Sequence, residues 1–328
     1  MGIRTDVRIL SRDDVAREAS KWREPEGSGY YAMYSSVFGG ILTDPSLMVI
    51  PLDDHMVHRG DGVFEAFKCV SGSIYNLGAH LDRLQLSASG ISLELPGPIE
   101  WIKQVVVQTI SAGGMRDCMV RLFISRGIGS FDCNPRRCKR SNLYVIALEP
   151  WHGHDRLWQE GVSALTVNIP VKPGLFARVK SCNYLQNVMV YMEANAGGAD
   201  FGIVLDEDGN IAEGATENIA LITANNELVY PPFERALRGT SLLRGVELAR
   251  ILVARGILSN VIQRTLAREH VHEAKEMLVF GTGPNVLPIV RYDGNAIGKG
   301  KPGPVFNELS RLFRADIESN EQVLTPVW

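Results

Sequence analysis

The sequence predicts a two-domain protein of the mixed class, α+β or mixed α/β. Three observations lead to this prediction: a length and apolar content sufficient for more than one core, strand-like and helix-like runs in both halves, and an interruption of that pattern near residue 150. The chain has 328 residues, of which 45% are hydrophobic. A chain of this length forms two cores more readily than one.

A polar segment opens the chain and predicts an N-terminal arm over residues 1–28. A helix that covers Arg12 to Trp22 would have to stop at the run Arg23–Gly29, because this run contains proline and glycine.

The segment 29–150 predicts a first, small α+β domain. Val70–Gly72 lies between two strand-like runs, as the turn of a hairpin would. The spacing of apolar residues then predicts helices, followed by further strands. The predicted strands are Val63–Phe67, Ser73–Leu77, Met119–Ser125 and Leu143–Leu148, and the predicted helices are Gly78–Ser89 and Ile99–Ser111.

The strongest candidate for a domain boundary is Pro150–His154, which places a helix breaker, a glycine and polar residues directly after a strand. We therefore predict an interdomain linker over 151–162 and a larger second domain over 163–328. The second domain also mixes element types. Its predicted elements are strands Val162–Val167 and Gly202–Leu205, a turn at Asp206–Asn210, and a helix Ser241–Arg255 closed by Gly256.

Composition and charge exclude several function classes. The 34 basic and 37 acidic residues give a net charge of -3, and no basic face is concentrated enough for nucleic acid. No apolar run approaches a membrane span, and Met1–Asp6 carries neither an export signal nor a myristoylation signal. The five cysteines lack the spacing of a disulfide framework or a zinc site, so no metal is expected. The expected compartment is the cytosol.

The first motif with chemical content is Val179–Tyr184, in which Lys180 is the sole charged residue. A lysine that attacks an aldehyde must be neutral, which requires partial burial or a nearby positive charge, and it must be held rigidly. Lys180 stands just before a predicted helix, Asn183–Ala196. By itself the motif favours a surface lysine whose alkyl chain lies along the protein.

The second motif is Glu213–Asn218. A carboxylate can keep an aromatic ring nitrogen protonated, so that the ring accepts electrons from a reacting bond. The glycine after Glu213 allows the backbone to approach closely. An ordinary polar loop with solvated glutamates fits the same residues.

Two motifs that combine glycine with hydroxyl residues could bind a phosphate dianion. Arg238–Ser241 opens a predicted helix, where N–H groups lack partners. Phe280–Gly283 follows the apolar strand Met277–Phe280. Each motif is weak alone, because Thr240 or Ser241 would cap a helix in any protein.

The fifth motif is His80–Leu84, on a predicted helix. His80 and Arg83 share one helix face, and an arginine fork can hold a phosphate through two hydrogen bonds. The alternative is an exposed helix arginine with no special role.

Taken in their order along the chain, which begins with His80–Leu84 and ends with Phe280–Gly283, the motifs suit a site for pyridoxal-5'-phosphate (PLP). In this order the chain resembles the fold-type IV (class IV) aminotransferases. That group contains D-amino-acid transaminases, branched-chain aminotransferases and aminodeoxychorismate lyases. The resemblance extends from about Tyr34 to about Phe313 and is most specific over Leu52–Glu65 and Val179–Tyr184. The plant-type D-amino-acid transaminases are the most similar members.

The resemblance implies a homodimer of two-domain subunits. Each subunit would have a small two-layer α+β domain and a larger pseudo-barrel domain, with PLP between them. It implies that Lys180 is the Schiff-base and proton-transfer lysine and that Glu213 contacts the pyridine nitrogen. The other implied cofactor residues are Arg83, Thr240, Ser241 and Thr282 at the phosphate and Tyr184 beside the phenolic oxygen.

Arg59 is the clearest departure from the family pattern, because branched-chain and bacterial D-specific relatives have a tyrosine there. We predict that Arg59 binds the substrate α-carboxylate, since a guanidinium gives an oriented two-point contact. The alternative is a scaffold ion pair with Asp53, Asp54 or Asp61.

The other predicted substrate residues also follow from the resemblance to branched-chain and D-specific relatives. The loop Phe131–Cys138 offers Arg136 or Arg137 as a second carboxylate contact, without the histidine of the bacterial D-specific enzymes. Arg121 matches an arginine that branched-chain enzymes use near the distal carboxylate of glutamate. Phe64 is expected to form the pocket wall.

The predicted function is ping-pong transamination between an amino acid, with D-amino acids favoured, and a 2-oxo acid such as 2-oxoglutarate or pyruvate. Branched-chain L-amino acids, (R)-amines and a lyase reaction on aminodeoxychorismate stay open as alternatives. A PLP-binding protein without activity would have lost Lys180 or Glu213, and both are present. A sugar-phosphate binder would explain only the glycine-hydroxyl motifs.

Overall fold

The computed structural model describes residues 7–22 and 29–328. Over these residues the chain forms two β-sheets with helices packed against them. The helices are α1 (Arg12–Trp22), α2 (His55–Arg59), α3 (Leu77–Gly90), α4 (Ile99–Gly113), α5 (Arg156–Gln159), α6 (Leu175–Arg178), α7 (Leu185–Ala196), α8 (Thr240–Ala254), α9 (His270–Glu273) and α10 (Pro304–Ser319). The strands are β1 (Tyr30–Ser35), β2 (Gly40–Leu42), β3 (Gly62–Val70), β4 (Ser73–Tyr75), β5 (Cys118–Ser125), β6 (Asn142–Leu148), β7 (Val162–Thr166), β8 (Phe201–Leu205), β9 (Ile211–Gly214), β10 (Asn218–Ile222), β11 (Glu227–Tyr230), β12 (Asn260–Gln263), β13 (Glu276–Gly281), β14 (Asn285–Tyr292), β15 (Asn295–Ala296) and β16 (Leu324–Pro326).

Helix α1 begins with a reciprocal cap. The Asp14 N–H donates to Ser11 Oγ at 3.2 Å, and the Ser11 N–H donates to the Asp14 carboxylate at 3.0 Å. This exchange satisfies two donors at the start of the helix, which explains why it begins at Arg12. Residues 1–6 and 23–28 of the predicted arm lie outside the described residues.

The first sheet is antiparallel throughout the described residues, in the order β16-β4-β3-β5-β6-β1-β2. The predicted hairpin joins β3 to β4 through Ser71 and Gly72, whose φ angles of 51° and 86° are both left-handed. Such a turn matches the twist of paired strands. Helices α3 and α4 cover one face and bury a core that includes Leu84 and Ile102.

The second sheet curls back on itself. Its order is β12-β11-β10-β13-β14-β7-β8-β9, so β9 and β10 lie five strand positions apart. In a flat sheet that separation would be roughly 24 Å. Only residues 215–217 connect the two strands, and a connection of this length spans at most about 15 Å. The sheet therefore curves into a pseudo-barrel, as predicted, with apolar residues such as Ile219 and Met277 inside it.

The two sheets are joined by the C-terminal segment. Strand β16 pairs with β4 of the first sheet, although its residues fall in the segment predicted as the second domain. Near this junction Tyr75 donates to Asp316 at 2.6 Å, and Arg244 forms an ion pair with the same carboxylate. The division into domains at 150 and 162 stays a prediction.

The predicted helices and strands are present, with ends that differ by two residues or fewer except at β3, which continues three residues beyond the predicted end at Phe67 to Val70. The turn at Asp206–Asn210 is also present, since the Asp206 N–H donates to the carbonyl of Asn210 at 2.8 Å. No helix among the described residues is long and apolar enough to cross a membrane. The cytosolic location stays a prediction.

Candidate active site

Lys180 is held rigidly at the edge of the first sheet. The Phe64 N–H donates to the Lys180 carbonyl at 3.0 Å, and the Lys180 N–H donates to Ser87 Oγ at 3.1 Å. Just beyond, Ser181 forms an isolated bridge with Val63. These contacts fix the backbone just before α7, as the sequence predicted for a reactive lysine.

The amine of Lys180 is buried, and its pKa lies close to neutral pH. Its Nζ donates to the hydroxyl of Tyr184 at 3.1 Å and lies 4.6 Å from the centre of the Phe64 ring. Burial, reinforced by the charge of Arg83, lowers the pKa of Lys180 to about 7. A large fraction of the amine is therefore unprotonated near neutral pH, as nucleophilic attack requires.

Glu213 lies in the same cavity as Lys180. One carboxylate oxygen, Oε2, accepts a hydrogen bond from the Leu237 N–H at 2.9 Å, and no ion pair to Glu213 occurs among the described residues. Burial raises the pKa of Glu213 to about 7. A carboxyl in this position gains stability from a protonated partner in the cavity.

Helix α8 directs its N-terminus into the cavity. Its first residue, Thr240, contacts His80 Nε2 through Oγ1 at 3.2 Å, and the N-cap Gly239 supplies no side chain. A Cβ at Gly239 would lie 1.7 Å from Asn218 Oδ1, so a side chain there would push the loop away from β10. The helix start therefore lies close to the sheet with backbone N–H groups available to an anion.

Arg83 reaches this helix start because Glu65 holds it. The Glu65 carboxylate accepts hydrogen bonds from Arg83 Nε at 2.8 Å and Nη2 at 2.7 Å. Arg83 Nη1 donates to the carbonyl of Arg238 at 3.2 Å. Although burial opposes its charge, Arg83 and His80 lower the pKa of Glu65 to about 2.

The second glycine motif is attached to β3. Thr282 Oγ1 donates to the Ala66 carbonyl at 3.3 Å, and Lys68 Nζ donates to Asn285 Oδ1 at 2.7 Å. Burial lowers the pKa of Lys68 to about 8. This attachment fixes the turn between β13 and β14 at the edge of the cavity.

The predicted cofactor residues thus line one cavity: Arg83, Lys180, Tyr184, Glu213, Thr240, Ser241 and Thr282. Their arrangement fits PLP. A guanidinium, hydroxyls and a helix N-terminus suit a phosphate, while the Glu213 carboxyl, without an ion-pair partner among the described residues, suits a protonated ring nitrogen. Burial raises the pKa of the Tyr184 phenol, so its hydroxyl stays protonated beside the amine of Lys180.

Comparison with known proteins identifies the family. The family model for amino-transferase class IV matches residues 62–292. This chain belongs to that family. It is 42% identical to the chloroplastic D-amino-acid transaminase of Arabidopsis thaliana, over 98% of this chain and 86% of the relative. It is 31% identical to a putative branched-chain-amino-acid aminotransferase of Methanocaldococcus jannaschii, over 84% of this chain and 93% of the relative.

Solved structures of class IV aminotransferases have the same fold. The branched-chain amino acid aminotransferase of Escherichia coli superposes with a TM-score of 0.84 at 24% identity, covering 91% of this chain and all of the other. The enzyme of Thermoproteus uzoniensis gives a TM-score of 0.81 at 24% identity, covering 92% of this chain and all of the other. The predicted fold class is confirmed, and the chain is a PLP-dependent class IV aminotransferase.

A second, more open cleft of about 750 Å³ adjoins the cofactor cavity and shares Lys180 with it. Phe64 lines this cleft, with ring centres 5.8 Å from Phe123 and 4.9 Å from Tyr184. Arg121 also lines it, and burial lowers the pKa of this guanidinium. Among the described residues the guanidinium of Arg121 has no hydrogen bond or ion pair, which leaves its charge available to an anion.

The other predicted substrate arginines lie outside this cleft. Arg59 donates to the carbonyls of His58 and Phe131. Arg137 pairs with Asp132 at 2.7 Å, and Arg136 is exposed on the same loop. Their role in substrate binding stays a prediction.

The alternative scaffold role for Arg59 required an ion pair with a nearby aspartate. Within the part of the chain that is described, no such pair is present. Asp54 instead accepts hydrogen bonds from Ser125 and Tyr144, both at 2.8 Å, and Asp61 pairs with Arg126 at 3.1 Å.

Sequence reasoning missed four charged residues at the site: Glu65, Lys68, Lys172 and Glu217. Glu65 lies within a segment quoted for the family resemblance, and Glu217 within the second motif, but neither pattern assigns them a role. Lys172 and Glu217 line the cofactor cavity. The loop that carries Lys172 has no periodicity from which burial could be inferred.

Proposed function

We propose that this aminotransferase transfers the amino group of D-amino acids to 2-oxo acids such as 2-oxoglutarate or pyruvate. The observation that carries the proposal is the 42% identity, over 98% of the chain, to a relative named D-amino-acid transaminase. A second relative at 25% identity, from Bacillus licheniformis, is named D-alanine aminotransferase.

In this proposal Lys180 moves the proton. PLP supplies an aldehyde that captures amines and a ring that withdraws electrons from the bond being broken. Lys180 Nζ accepts the proton from the substrate α-carbon, since its lowered pKa leaves the amine able to act as a base near neutral pH. Glu213 keeps the ring nitrogen protonated, and the Tyr184 hydroxyl, 3.1 Å from Nζ, orients the amine.

The phosphate end fixes the position of the cofactor. Arg83, Thr240, Ser241 and Thr282 surround that end of the cavity together with the start of α8. Because Glu65 restrains Arg83, little conformational freedom is lost when the guanidinium binds an anion.

The open cleft would receive the substrate. Phe64 and Phe123 exclude water from one side of Lys180, and Arg121 is placed to bind a distal carboxylate such as that of 2-oxoglutarate. Arg59 is proposed to bind the α-carboxylate.

A second candidate is transamination of branched-chain L-amino acids. The relative from Methanocaldococcus jannaschii, at 31% identity, carries that putative name. Apolar side chains predominate in the cleft walls, including Ile50, Met119 and Phe123, and would accept an aliphatic side chain.

The deciding experiment is a substrate panel with matched D and L enantiomers. Alanine, glutamate and leucine in both configurations, together with (R)- and (S)-amines, should be assayed with 2-oxoglutarate and with pyruvate while the cofactor spectrum is followed. Faster turnover of D-alanine and D-glutamate supports the proposal. Faster turnover of L-leucine favours the second candidate and rejects the first.

The lysine assignment has a direct test. Borohydride reduction of the yellow holoenzyme, followed by peptide mapping, should find the pyridoxyl group on Lys180. Lys172 is the alternative attachment site that the mapping must exclude, because it lines the same cavity. Recovery of the label on Lys172 would overturn the assignment.

We further propose that the enzyme is a homodimer. Helix α7, directly after Lys180, exposes apolar side chains at helical spacing, including Leu185, Val188 and Met192. An exposed stripe of this kind is typical of an interface. Sedimentation of the wild type and of Leu185→Glu tests the assignment: a dimer that the variant dissociates supports it, and a monomeric wild type rejects it.

A further inference from the structure

Lys172 is a second lysine at the base of the cofactor cavity, on the segment between β7 and α6. It lines the cavity together with Glu213 and Asn187, and these three residues also line a smaller cavity behind it. Its Nζ lies 4.9 Å from the centre of the Tyr184 ring. Over the described residues it forms no hydrogen bond or ion pair.

Two acceptors in the same region lack donors. Asn187 is 9% exposed, and its Oδ1 is buried without a hydrogen-bond partner among the described residues. Glu213 receives the Leu237 N–H on Oε2, while the described part of the chain offers no hydrogen bond to its Oε1. A buried acceptor without a partner is costly, and the ammonium group of Lys172, which lines the same two cavities, is a donor without a hydrogen-bond partner among the described residues.

We propose that Lys172 is a positioning residue: its ammonium group, placed over the Tyr184 ring, is the countercharge that keeps the Glu213 carboxylate ionised for the cofactor ring nitrogen. This inference rests on the proposed role of Glu213.

The surrounding charges favour Lys172 over Lys180 for this task. Burial raises the pKa of Glu213, the Leu237 N–H and the charges of Lys172 and Lys180 lower it, and Glu217 raises it further. Lys180 is the reacting amine with a pKa of about 7, so its charge is partial at neutral pH and changes during turnover. Burial lowers the pKa of Lys172 and the charge of Glu213 raises it, so the two groups favour each other's charged forms. In the proposal Lys172 takes no part in the proton transfer, so turnover does not change its charge.

Tyr184 and Glu217 complete the set of titratable groups near this pair. Burial raises the pKa of Tyr184, which therefore adds no negative charge near neutral pH. Burial also raises the pKa of Glu217, and its carboxylate accepts the Thr216 N–H at 2.9 Å. Neither group can replace the positive charge of Lys172.

The test is an infrared pH titration of the full chain after removal of the cofactor. The protonated-carboxyl band of Glu213 is assigned by its loss in Glu213→Gln, with Glu217→Gln as the second assignment variant. In Lys172→Met the midpoint of this band should rise by about one pH unit or more, because an opposite charge nearby has been removed. Lys172→Arg should restore the wild-type midpoint, and the exposed Lys301→Met should leave it unchanged.

The holoenzyme provides a second readout. At neutral pH, Lys172→Met should lower kcat with little change in KM, and the acidic limb of its pH profile should move upward by the same amount as the infrared midpoint. Lys172→Gln carries the same expectations if the methionine variant does not fold.

An unchanged Glu213 midpoint in Lys172→Met overturns the inference, and so does failure of Lys172→Arg to restore it. The proposed function fails in a different way, through faster turnover of L-leucine than of D-amino acids in the substrate panel. The proposed roles of Lys180 and Glu213 fail if the pyridoxyl group is not on Lys180 or if Glu213→Gln turns over normally, whatever the infrared midpoint does.

Discussion

Glu65 and Arg83 form a buried two-point ion pair at the phosphate end of the cavity. The two hydrogen bonds measure 2.8 and 2.7 Å, and the residues are 0% and 8% exposed. His80 adds a third contact to the same carboxylate at 2.7 Å. The position of the guanidinium thus depends on a residue that does not itself line the cofactor cavity.

Replacing Glu65 with Gln should destabilise the protein and weaken PLP binding together. The substitution leaves the buried charge of Arg83 without compensation, which costs roughly 3 kcal/mol in the free energy of unfolding. Urea unfolding of the cofactor-free protein and PLP titration measure the two effects. Glu160→Gln is the matched control, because it breaks an exposed pair with Arg156 and should cost less than about 1 kcal/mol. Wild-type PLP affinity in Glu65→Gln would show that Arg83 needs no such support.

The same pair gives the protein a specific acid sensitivity. The pKa of Glu65 is lowered to about 2 from an ordinary value of 4.5. Its stabilising contribution is therefore complete above the ordinary value and declines as the pH falls toward 2. The stability difference between wild type and Glu65→Gln should narrow over that range.

Replacing Glu213 with Gln should leave PLP bound but slow the reaction. An amide cannot hold the ring nitrogen protonated, so removal of the α-proton loses roughly a hundredfold in rate. Single-turnover kinetics with D-alanine measure that step directly. Glu217→Gln is the comparison variant, and a larger loss there would mean that Glu217 is the ring-nitrogen partner.

Much of the fold and half of the site could be predicted from residue patterns. Helices such as α4 and α8 follow from apolar spacing and glycine ends, and the hairpin at Ser71–Gly72 follows from turn chemistry. These helices and this hairpin are local features, so the sequence carries them directly. The roles of Lys180 and Glu213 follow instead from the resemblance to class IV aminotransferases, because each of their motifs is weak alone.

Features that depend on distant contacts could not be predicted in the same way. The first six residues of β3 are all buried, so no alternation marks Glu65 as the partner of Arg83. Lys172 is half-buried, on a loop that lines a small cavity together with Asn187 and Val190 of α7, and this contact is not encoded locally. The pairing of β16 with β4 joins residues about 250 positions apart in the chain, and no local pattern encodes it.

Removing the reactive lysine should stabilise the cofactor-free protein. Lys180 has a folded-state pKa of about 7 and an ordinary value of 10.5. Below pH 7 the lysine is protonated in both the folded and the unfolded protein. The buried charge then destabilises the folded state by its full cost, on the order of a few kcal/mol. That cost declines as the pH rises toward the ordinary value, above which both states are neutral.

Lys180→Met should therefore melt at a higher temperature than the wild type at neutral pH. The difference in melting temperature should shrink as the pH rises toward 10, because the cost of the buried charge declines between the two pKa values. Scanning calorimetry of both cofactor-free proteins across this range measures the trend. A melting advantage that is absent at neutral pH, or that grows with pH, contradicts the assigned burial of the amine.

Arg121 should discriminate between 2-oxo acids by their second carboxylate. It lines the open cleft, burial lowers its pKa, and no described residue neutralises it, so a bound carboxylate restores the interactions that burial removed. Arg121→Met should therefore lower kcat/KM for 2-oxoglutarate by a factor that corresponds to roughly 2 kcal/mol or more. The value of kcat/KM for pyruvate should change little, because pyruvate lacks the distal carboxylate. Arg59→Ala is the paired variant: if Arg59 binds the α-carboxylate, it should weaken both 2-oxo acids equally and spare an (R)-amine that carries no carboxylate. Equal losses for 2-oxoglutarate and pyruvate in Arg121→Met would remove Arg121 from substrate selection and leave it as part of the cleft wall.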